Sequence, residues 1–133
     1  MSSRSLDDLH PLFKSKAEDF LIAARAAGLD VLIYCTLRTG AEQNELYAHG
    51  RTQPGPIVTN ARAGQSAHNF GLALDGVPLV GGKPMWDESH STWEMYGHVA
   101  SAVGLEWAGD WVGKLREKPH IQYPNWKTLA GVS

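Results

Sequence analysis

Two short segments of this sequence concentrate side chains that can hold a metal ion. The first contains His68 and Asp75, and the second contains Glu117 and His120. A catalytic zinc site needs three nitrogen or oxygen ligands and one open position, a count that His68, Asp75 and His120 satisfy. Such a metal would polarise a peptide carbonyl and lower the pKa of water. Glu117 would then be the base.

The spacing of these residues constrains the backbone. In one straight strand His68 and Asp75 would lie about 23 Å apart, at roughly 3.3 Å per residue, which is too far to share an ion. The chain must therefore bend between them, and Gly71 permits the bend. Pro119 favours an extended segment that leaves Glu117 beside the metal without binding it. Spacing alone leaves open the alternative that the histidines are ordinary core or surface residues.

The elements that must position these residues follow an α+β pattern. The predicted helices are residues 9–27, 41–49 and 89–103, and the predicted strands are residues 31–36, 72–80, 105–107 and 119–123. The second helix begins with a capping box of Thr39 and Glu42, and Pro78 is expected to break or shorten the second strand. This order predicts a small, mainly antiparallel sheet flanked by about three helices.

Two other segments have no sustained period. Residues 51–66 contain prolines and glycines, which predicts a long loop, ordered or mobile, of a length that usually serves function. Residues 124–133 have little pattern. The single cysteine, Cys35, lies in an apolar run, so no disulfide can form within the chain and we expect a buried, inert thiol.

Length and composition describe one domain and exclude several functions. With 133 residues, 43% of them hydrophobic, and a net charge of −2, we expect a single catalytic domain over residues 1–133. Because acidic and basic residues are balanced, there is no electrostatic reason to expect binding to nucleic acid or anionic lipid. No apolar segment has the length of a signal sequence or a bilayer span, so we expect a cytoplasmic protein without membrane insertion.

Both metal-binding segments resemble a known family. The pattern Ser-x-His-x(2)-Gly-x-Ala-x-Asp at residues 66–75, followed by Glu-x-Pro-His at residues 117–120, resembles the zinc peptidases of the D-Ala-D-Ala carboxypeptidase (VanY-like) and L-alanyl-D-glutamate endopeptidase group. The wider class includes lysostaphin and the hedgehog signalling domain. Further similar segments are residues 36–39, 42–43, 46–47, 50–52 and 107–111. The resemblance covers residues 10–123 and implies a hedgehog/D-Ala-D-Ala peptidase-like fold.

This resemblance also implies roles for individual residues. One zinc ion per chain would be held by His68, Asp75 and His120, and no other cofactor is expected. Glu117, the acid before the last histidine, would activate the attacking water. Arg38 follows the first strand and would steady the developing oxyanion, a role that suits the fixed donors of a guanidinium group. The implied partner is the stem peptide of bacterial peptidoglycan.

Four further residues keep two interpretations each. Gln43 is either a polar contact to substrate or an exposed helix residue, and Asp110 is either a hydrogen-bond partner of a ligating histidine or an ordinary turn residue. Trp107 and Trp111 are candidates for a substrate groove or for the core. Their positions depend on the tertiary structure.

The sequence therefore predicts a zinc peptidase of the compact phage endolysin type that hydrolyses a peptide bond in peptidoglycan. One alternative is a D-alanyl-D-alanine carboxypeptidase or dipeptidase. Another is a catalytically silent, zinc-containing module that binds the wall, although Glu117 and Arg38 argue against a purely structural metal. We expect a monomer that waits in the host cytoplasm before lysis and reaches the wall through a separate pore-former, a holin.

Overall fold

A computed structural model describes residues 2–133. The α-helices are α1 (Pro11–Ala26), α2 (Gly40–Ala48), α3 (Thr92–Ala102) and α4 (Trp126–Ala130), and the strands are β1 (Asp30–Cys35), β2 (Ala73–Val80), β3 (Lys83–Pro84), β4 (Glu106–Trp107) and β5 (His120–Gln122). The α+β class predicted from the sequence is confirmed. The helix α4 was not predicted, since five residues are too few to display a helical period. No helix among residues 2–133 has the length and apolar character needed to cross a membrane.

All pairings in the sheet are antiparallel, and its strand order is β1-β2-β5-β4, with β3 paired to the end of β2. The prediction that Pro78 breaks the second strand is wrong, because β2 continues through Pro78, which lies opposite Val31. β5 pairs with β2 only as far as Asp75, and β3 pairs only from Leu79. Pro78 lies in the gap between these pairings, where a strand edge tolerates proline.

The hydrophobic core lies between the sheet and the helices α1 and α3. Phe13 and Phe20 of α1 are fully buried with Trp93 and Tyr96 of α3, and the rings of Phe20 and Tyr96 meet edge to face with centroids 5.3 Å apart. The hydroxyl of Tyr96 donates a hydrogen bond of 2.6 Å to the carbonyl of Pro119. The core therefore fixes the chain just before β5.

Trp107 belongs to this core. It lies opposite Ile121 in the sheet and packs between Gly97 and Gly109, where an added Cβ at either glycine would overlap the indole ring. Its indole N–H donates to the carbonyl of Lys118 at 2.7 Å. Of the two tryptophans that the sequence left open, Trp107 is thus a packing residue.

The predicted bend between the two metal-binding residues of the first segment is confirmed. Residues Ala67–Phe70 form a short 3-10 helix that ends at Gly71, whose φ is +68°. A Cβ at Gly71 would lie 2.7 Å from the backbone nitrogen of His10. Glycine is needed here both for the left-handed conformation and for the close approach of the N-terminal segment. The turn brings His68 back towards Asp75 on β2.

Candidate metal centre and its cleft

The three predicted metal ligands converge on one face of the sheet. Asp75 and His120 are direct partners in the pairing of β2 with β5, and the preceding pair, Leu74 and Ile121, lies in the core. Because side chains alternate along strands, Asp75 and His120 face away from that core. His68 Nε2 lies 3.3 Å and His120 Nδ1 lies 3.4 Å from the same oxygen, Asp75 Oδ1.

The carboxylate at the middle of this cluster has an unpaired atom. Asp75 Oδ1 is buried and has no hydrogen-bond partner among residues 2–133. A buried, charged oxygen without a partner is costly, whereas a bound cation would compensate it. Two imidazole nitrogens and a carboxylate oxygen form a ligand set that suits zinc. The residues present therefore fit the metal that the sequence predicted.

The cluster is strongly coupled electrostatically. Burial by itself raises the pKa of Asp75, but the His68 and His120 imidazoles outweigh burial and hold the pKa of this carboxyl well below its usual range. Burial lowers the pKa of His68, but the Asp75 carboxylate outweighs it and raises the pKa of His68 to about 10. A proton on His68 and a cation are therefore alternative partners for the Asp75 charge.

The other ring nitrogen of His68 is held by the backbone. His68 Nδ1 lies 2.9 Å from the carbonyl oxygen of Thr36, which can only accept. Nδ1 therefore donates, and Nε2 is the nitrogen that faces Asp75. No local sequence pattern indicates this partner, because it is a main-chain carbonyl just after the end of β1.

Cys35 is buried, as predicted, but it lies next to this cluster. It is the partner of Asp75 in the pairing of β1 with β2, and the donor atoms of Cys35, His68 and Asp75 lie within 4.8 Å of one another. The thiol also lies 3.4 Å from Arg38 Nη2. Burial raises the pKa of the Cys35 thiol, but the hydrogen bond and charge of His68, together with the Arg38 charge, outweigh burial and the net shift of the pKa is downward. Interpreting Cys35 as an isolated core thiol missed these contacts.

Arg38 lies at the side of the cluster and is held by Gln43. Its Nη2 lies 3.9 Å from Asp75 Oδ2, and its Nη1 donates to Gln43 Oε1 at 3.0 Å. Gln43 is fully buried and donates from Nε2 to the carbonyl of Ala61 at 2.8 Å. Both interpretations of Gln43 offered above are therefore wrong: it orients Arg38 and ties down the loop of residues 51–66.

On the opposite side, His120 is held by side chains. His120 Nε2 lies 2.8 Å from Gln122 Oε1, and Gln122 Nε2 donates to Glu106 Oε2 at 3.3 Å. Trp111 Nε1 donates to the same Glu106 oxygen at 2.8 Å. Asp110, which the sequence offered as a hydrogen-bond partner of a ligating histidine, is exposed. Gln122 is the residue that contacts His120 instead. The sequence signal that could have found Gln122 is its spacing of two residues from His120, because residues two apart on a strand lie on the same face.

Glu117 lies on the loop before β5 and is exposed. Its backbone is fixed, since its N–H donates to the carbonyl of Ala108 at 3.2 Å and its carbonyl accepts from His120 at 3.3 Å. Within residues 2–133 its carboxylate has no hydrogen-bond partner. The side chain lines the same cleft as the three-residue cluster.

Two cavities adjoin the cluster. The larger, of about 520 Å³, forms the cleft, and its walls include Val58, Trp111 and Leu115. The smaller, of about 300 Å³, is lined by residues that include Tyr34, Glu88 and Arg116. Asp75 and Glu117 line both cavities. Open space is therefore present in two cavities next to the candidate metal centre.

The loop that forms one wall, residues 51–66, is held by specific contacts. Arg51 donates to the carbonyls of Tyr47 and Thr59 at 2.6 and 3.0 Å and to Asn60 Oδ1 at 3.0 Å. Its guanidinium carbon lies 3.7 Å from the centroid of the Tyr47 ring, and Arg62 lies over the same ring at 5.0 Å. Of the two predicted states, these contacts favour the ordered one.

Two histidines and a carboxylate beside an open cleft are a ligand set of catalytic zinc in peptidases. The family profile described as D-alanyl-D-alanine carboxypeptidase matches residues 59–123. The chain belongs to this family of peptidases, the M15 peptidases, and the resemblance stated from the sequence is confirmed. Among its relatives, the peptidoglycan L-alanyl-D-glutamate endopeptidase CwlK of Bacillus subtilis (strain 168) is 40% identical over 123 residues, which are 86% of this chain and 73% of CwlK.

Other similar proteins agree with this family. The L-alanyl-D-glutamate peptidase of Listeria phage A118 is 33% identical over 125 residues, which are 91% of this chain and 41% of the phage protein. The L-Ala D-Glu endopeptidase ChiX of Serratia marcescens is similar in structure, with a TM-score of 0.63 and 25% identity over 92% of this chain and 88% of ChiX. The D,D-pentapeptidase VanY, solved with Zn(II), is similar in structure with a TM-score of 0.64 and 18% identity. The match spans 92% of this chain and 76% of VanY, and it supports the fold.

Proposed function

We propose that this chain is a zinc-dependent peptidase that hydrolyses the L-alanyl-D-glutamate bond in the stem peptide of bacterial peptidoglycan. The observation that carries this proposal is that two cavities meet at Asp75 and Glu117, which gives space for more than a chain end. An endopeptidase must bind peptide on both sides of the cleaved bond, whereas a carboxypeptidase binds a chain end. The names of CwlK, ChiX and the phage peptidase specify this same bond.

The proposed metal ligands are His68 Nε2, Asp75 Oδ1 and His120 Nδ1, with one ion per chain. The unpaired, buried Asp75 oxygen and the two nitrogens that face it support this set. Bound zinc would act as a Lewis acid that polarises the peptide carbonyl and lowers the pKa of water.

Within the described chain, Cys35, His68 and Asp75 are the three donors whose ligand atoms all lie within 4.8 Å of one another, and we nevertheless place Cys35 outside the coordination. Its sulfur lies 3.7 Å from His68 Nδ1, the nitrogen that already donates to the Thr36 carbonyl. The two nitrogens of an imidazole direct their lone pairs away from each other, so an ion on Nε2 lies on the other side of the ring from this sulfur. His120 is therefore the better third ligand.

Glu117 and Arg38 would perform the proton transfer and the charge stabilisation. The Glu117 carboxylate is exposed in the cleft and without an internal partner, so it is free to take a proton from attacking water and pass it to the leaving amine. The Arg38 guanidinium is fixed in advance by Gln43 and Cys35. Donors that are already oriented stabilise an oxyanion without a cost of reorganisation.

Digestion of purified peptidoglycan followed by mass spectrometry of the fragments tests the proposal. We expect fragments with a new amino terminus on D-glutamate, and loss of this activity on chelation. Release of free D-alanine instead would establish the carboxypeptidase alternative. Intact peptidoglycan with fully zinc-loaded protein would establish the silent wall-binding alternative.

We also propose that the catalytic unit is a monomer, since the ligands, the base, the arginine and both cleft walls come from one chain. Sedimentation of the active protein tests this: activity confined to a dimer would contradict it. Release from the host cytoplasm through a holin stays a prediction, and detection of the protein outside intact cells that lack a pore-former would contradict it.

A further inference from the structure

We propose that Glu106 and Gln122 are positioning residues that determine which ring nitrogen of His120 carries the hydrogen, and thereby set the metal affinity of the site. This inference rests on the proposed function, because it concerns the ligand His120. Neither residue lies in the two sequence segments that carry the chemistry. Both are placed beside His120 by the register of the sheet.

The register aligns these side chains in one row. Glu106 is the direct partner of Gln122 in the pairing of β4 with β5, as Asp75 is the partner of His120 in the pairing of β2 with β5. His120 and Gln122 are two residues apart on β5 and so point to the same face. The row Asp75, His120, Gln122, Glu106 thus crosses three strands.

Chemistry fixes the direction of every hydrogen bond in this row. A carboxylate can only accept, so Gln122 must direct its amide nitrogen towards Glu106 Oε2 at 3.3 Å. Its amide oxygen then faces His120 Nε2 at 2.8 Å. That oxygen is also only an acceptor, so His120 Nε2 carries the hydrogen. Nδ1 is left with a lone pair directed at the Asp75 side of the cluster.

Without the Glu106 carboxylate this order is lost. The Gln122 amide could then turn and offer its N–H group to His120 Nε2, which moves the hydrogen to Nδ1, the nitrogen needed for the metal. Partners of this kind fix the tautomer of a metal-binding histidine, and their removal costs about 10- to 100-fold in metal affinity or activity. Gln122 and His120 are largely buried at the wall of the cleft, so protein groups make most of their contacts.

Trp111 provides a matched control. Its indole N–H donates to the same Glu106 oxygen, and its ring centroid lies 5.6 Å from that of His120. The W111F variant removes one donor to Glu106 but leaves the bonds from Glu106 through Gln122 to His120 in place. A role in packing and a role in orienting His120 are therefore separable.

The experiment measures zinc affinity by competition with a chromophoric chelator. We expect E106M, which has no strong acceptor at position 106, and Q122M each to bind zinc about 10- to 100-fold more weakly than the wild type, and W111F to bind it as the wild type does. The double variant E106Q/Q122E exchanges donor and acceptor but keeps an acceptor towards His120, so it should regain most of the affinity. Thermal unfolding of the metal-free variants checks that they fold.

The outcomes separate this inference from the proposed function. A wild type that binds no zinc would overturn the proposed metal site itself. Wild-type affinity in E106M and Q122M, an equal loss in W111F, or no recovery in the double variant would overturn only the positioning role. Nitrogen-15 shifts of the His120 ring in the zinc-loaded wild type test the tautomer without any variant: hydrogen on Nε2 supports the inference, and hydrogen on Nδ1 rejects it.

Discussion

The candidate site has one half on the sheet and one half on loops, and the two halves differ in how they are held. Asp75, which is partly buried, and His120, which is buried, lie on paired strands. Glu117 and Leu115 lie on a loop, are exposed, and line the cleft; Leu115 is 64% exposed. The strand ladder thus fixes two of the three groups that would hold an ion, and a main-chain carbonyl holds the third, His68. The groups that would meet a peptide stay accessible.

Different physical requirements explain this division. A metal site tolerates displacements of only about 0.5 Å, which rigid strands with supporting hydrogen bonds can provide. A peptide must enter, turn over and leave, so the groups that act on it are best exposed on loops carried by a rigid scaffold. Changes on the sheet should therefore remove the metal, and changes on the loops should spare it.

The largest effect is expected from D75N on the sheet. Loss of the central charge leaves two histidines without the carboxylate, so we expect no stoichiometric zinc in the purified protein and no release of peptidoglycan fragments above background. Metal analysis and mass spectrometry measure both. D110N, which changes an exposed acid away from the cluster, should keep zinc and activity. Full zinc content in D75N would show that the ion is held elsewhere.

Next in size is E117Q on the loop. We expect activity to fall about 10²- to 10⁴-fold, the usual contribution of a general acid or base, while zinc content stays at the wild-type level. E88Q removes another carboxylate, which lines the smaller cavity, and should leave activity nearly unchanged. Loss of zinc from E117Q would make Glu117 a ligand, and retained turnover would point to a different base.

A smaller effect is expected from R51A, which releases the wall of residues 51–66. Because the hydrogen bonds to Thr59 and Asn60 are lost, we expect KM for peptidoglycan fragments to rise about tenfold, equivalent to ~1.4 kcal/mol, with kcat and zinc content unchanged. R62A removes the more distant cation over Tyr47 and should change KM less. A fall in kcat with constant KM would place Arg51 in the chemistry instead.

The smallest effect is expected from C35A. Cys35 lies on the sheet beside the cluster, yet we place it outside the coordination, so zinc affinity should match the wild type. Loss of its packing should lower the free energy of unfolding by about 1 kcal/mol. Chelator competition and denaturant unfolding measure the two quantities. A marked drop in zinc affinity would instead establish Cys35 as a ligand and weaken the case for His120.

Local sequence signals predicted most of the elements. The capping box of Thr39 and Glu42 forms at the start of α2, and Gly71 makes the bend that the spacing of His68 and Asp75 demanded. Predictions failed where neighbouring strands decide the outcome. Pro78 stays within β2 because it lies between the residues that pair with β5 and those that pair with β3. No local sequence pattern shows where these pairings end.

The site was predictable in residue type and not in its supports. His68, Asp75 and His120 were proposed as ligands from their residue types and from the family resemblance, and the structure brings the three together. Gln43 was expected at the surface or in the groove, but it is buried against Arg38. Glu106 was not singled out, because only the pairing of β4 with β5 brings it to Gln122.

By itself, the sequence predicted the proposed ligands, and it determined the bend at Gly71 and the α+β class. These depend on residue types, short spacings and local periodicity, which are all properties of neighbouring positions. The tertiary structure decided which face carries the cluster, which atoms orient the two histidines and where the cleft opens. Strand register decides these, since a shift of one residue would turn Asp75 and His120 into the core and Leu74 and Ile121 out of it.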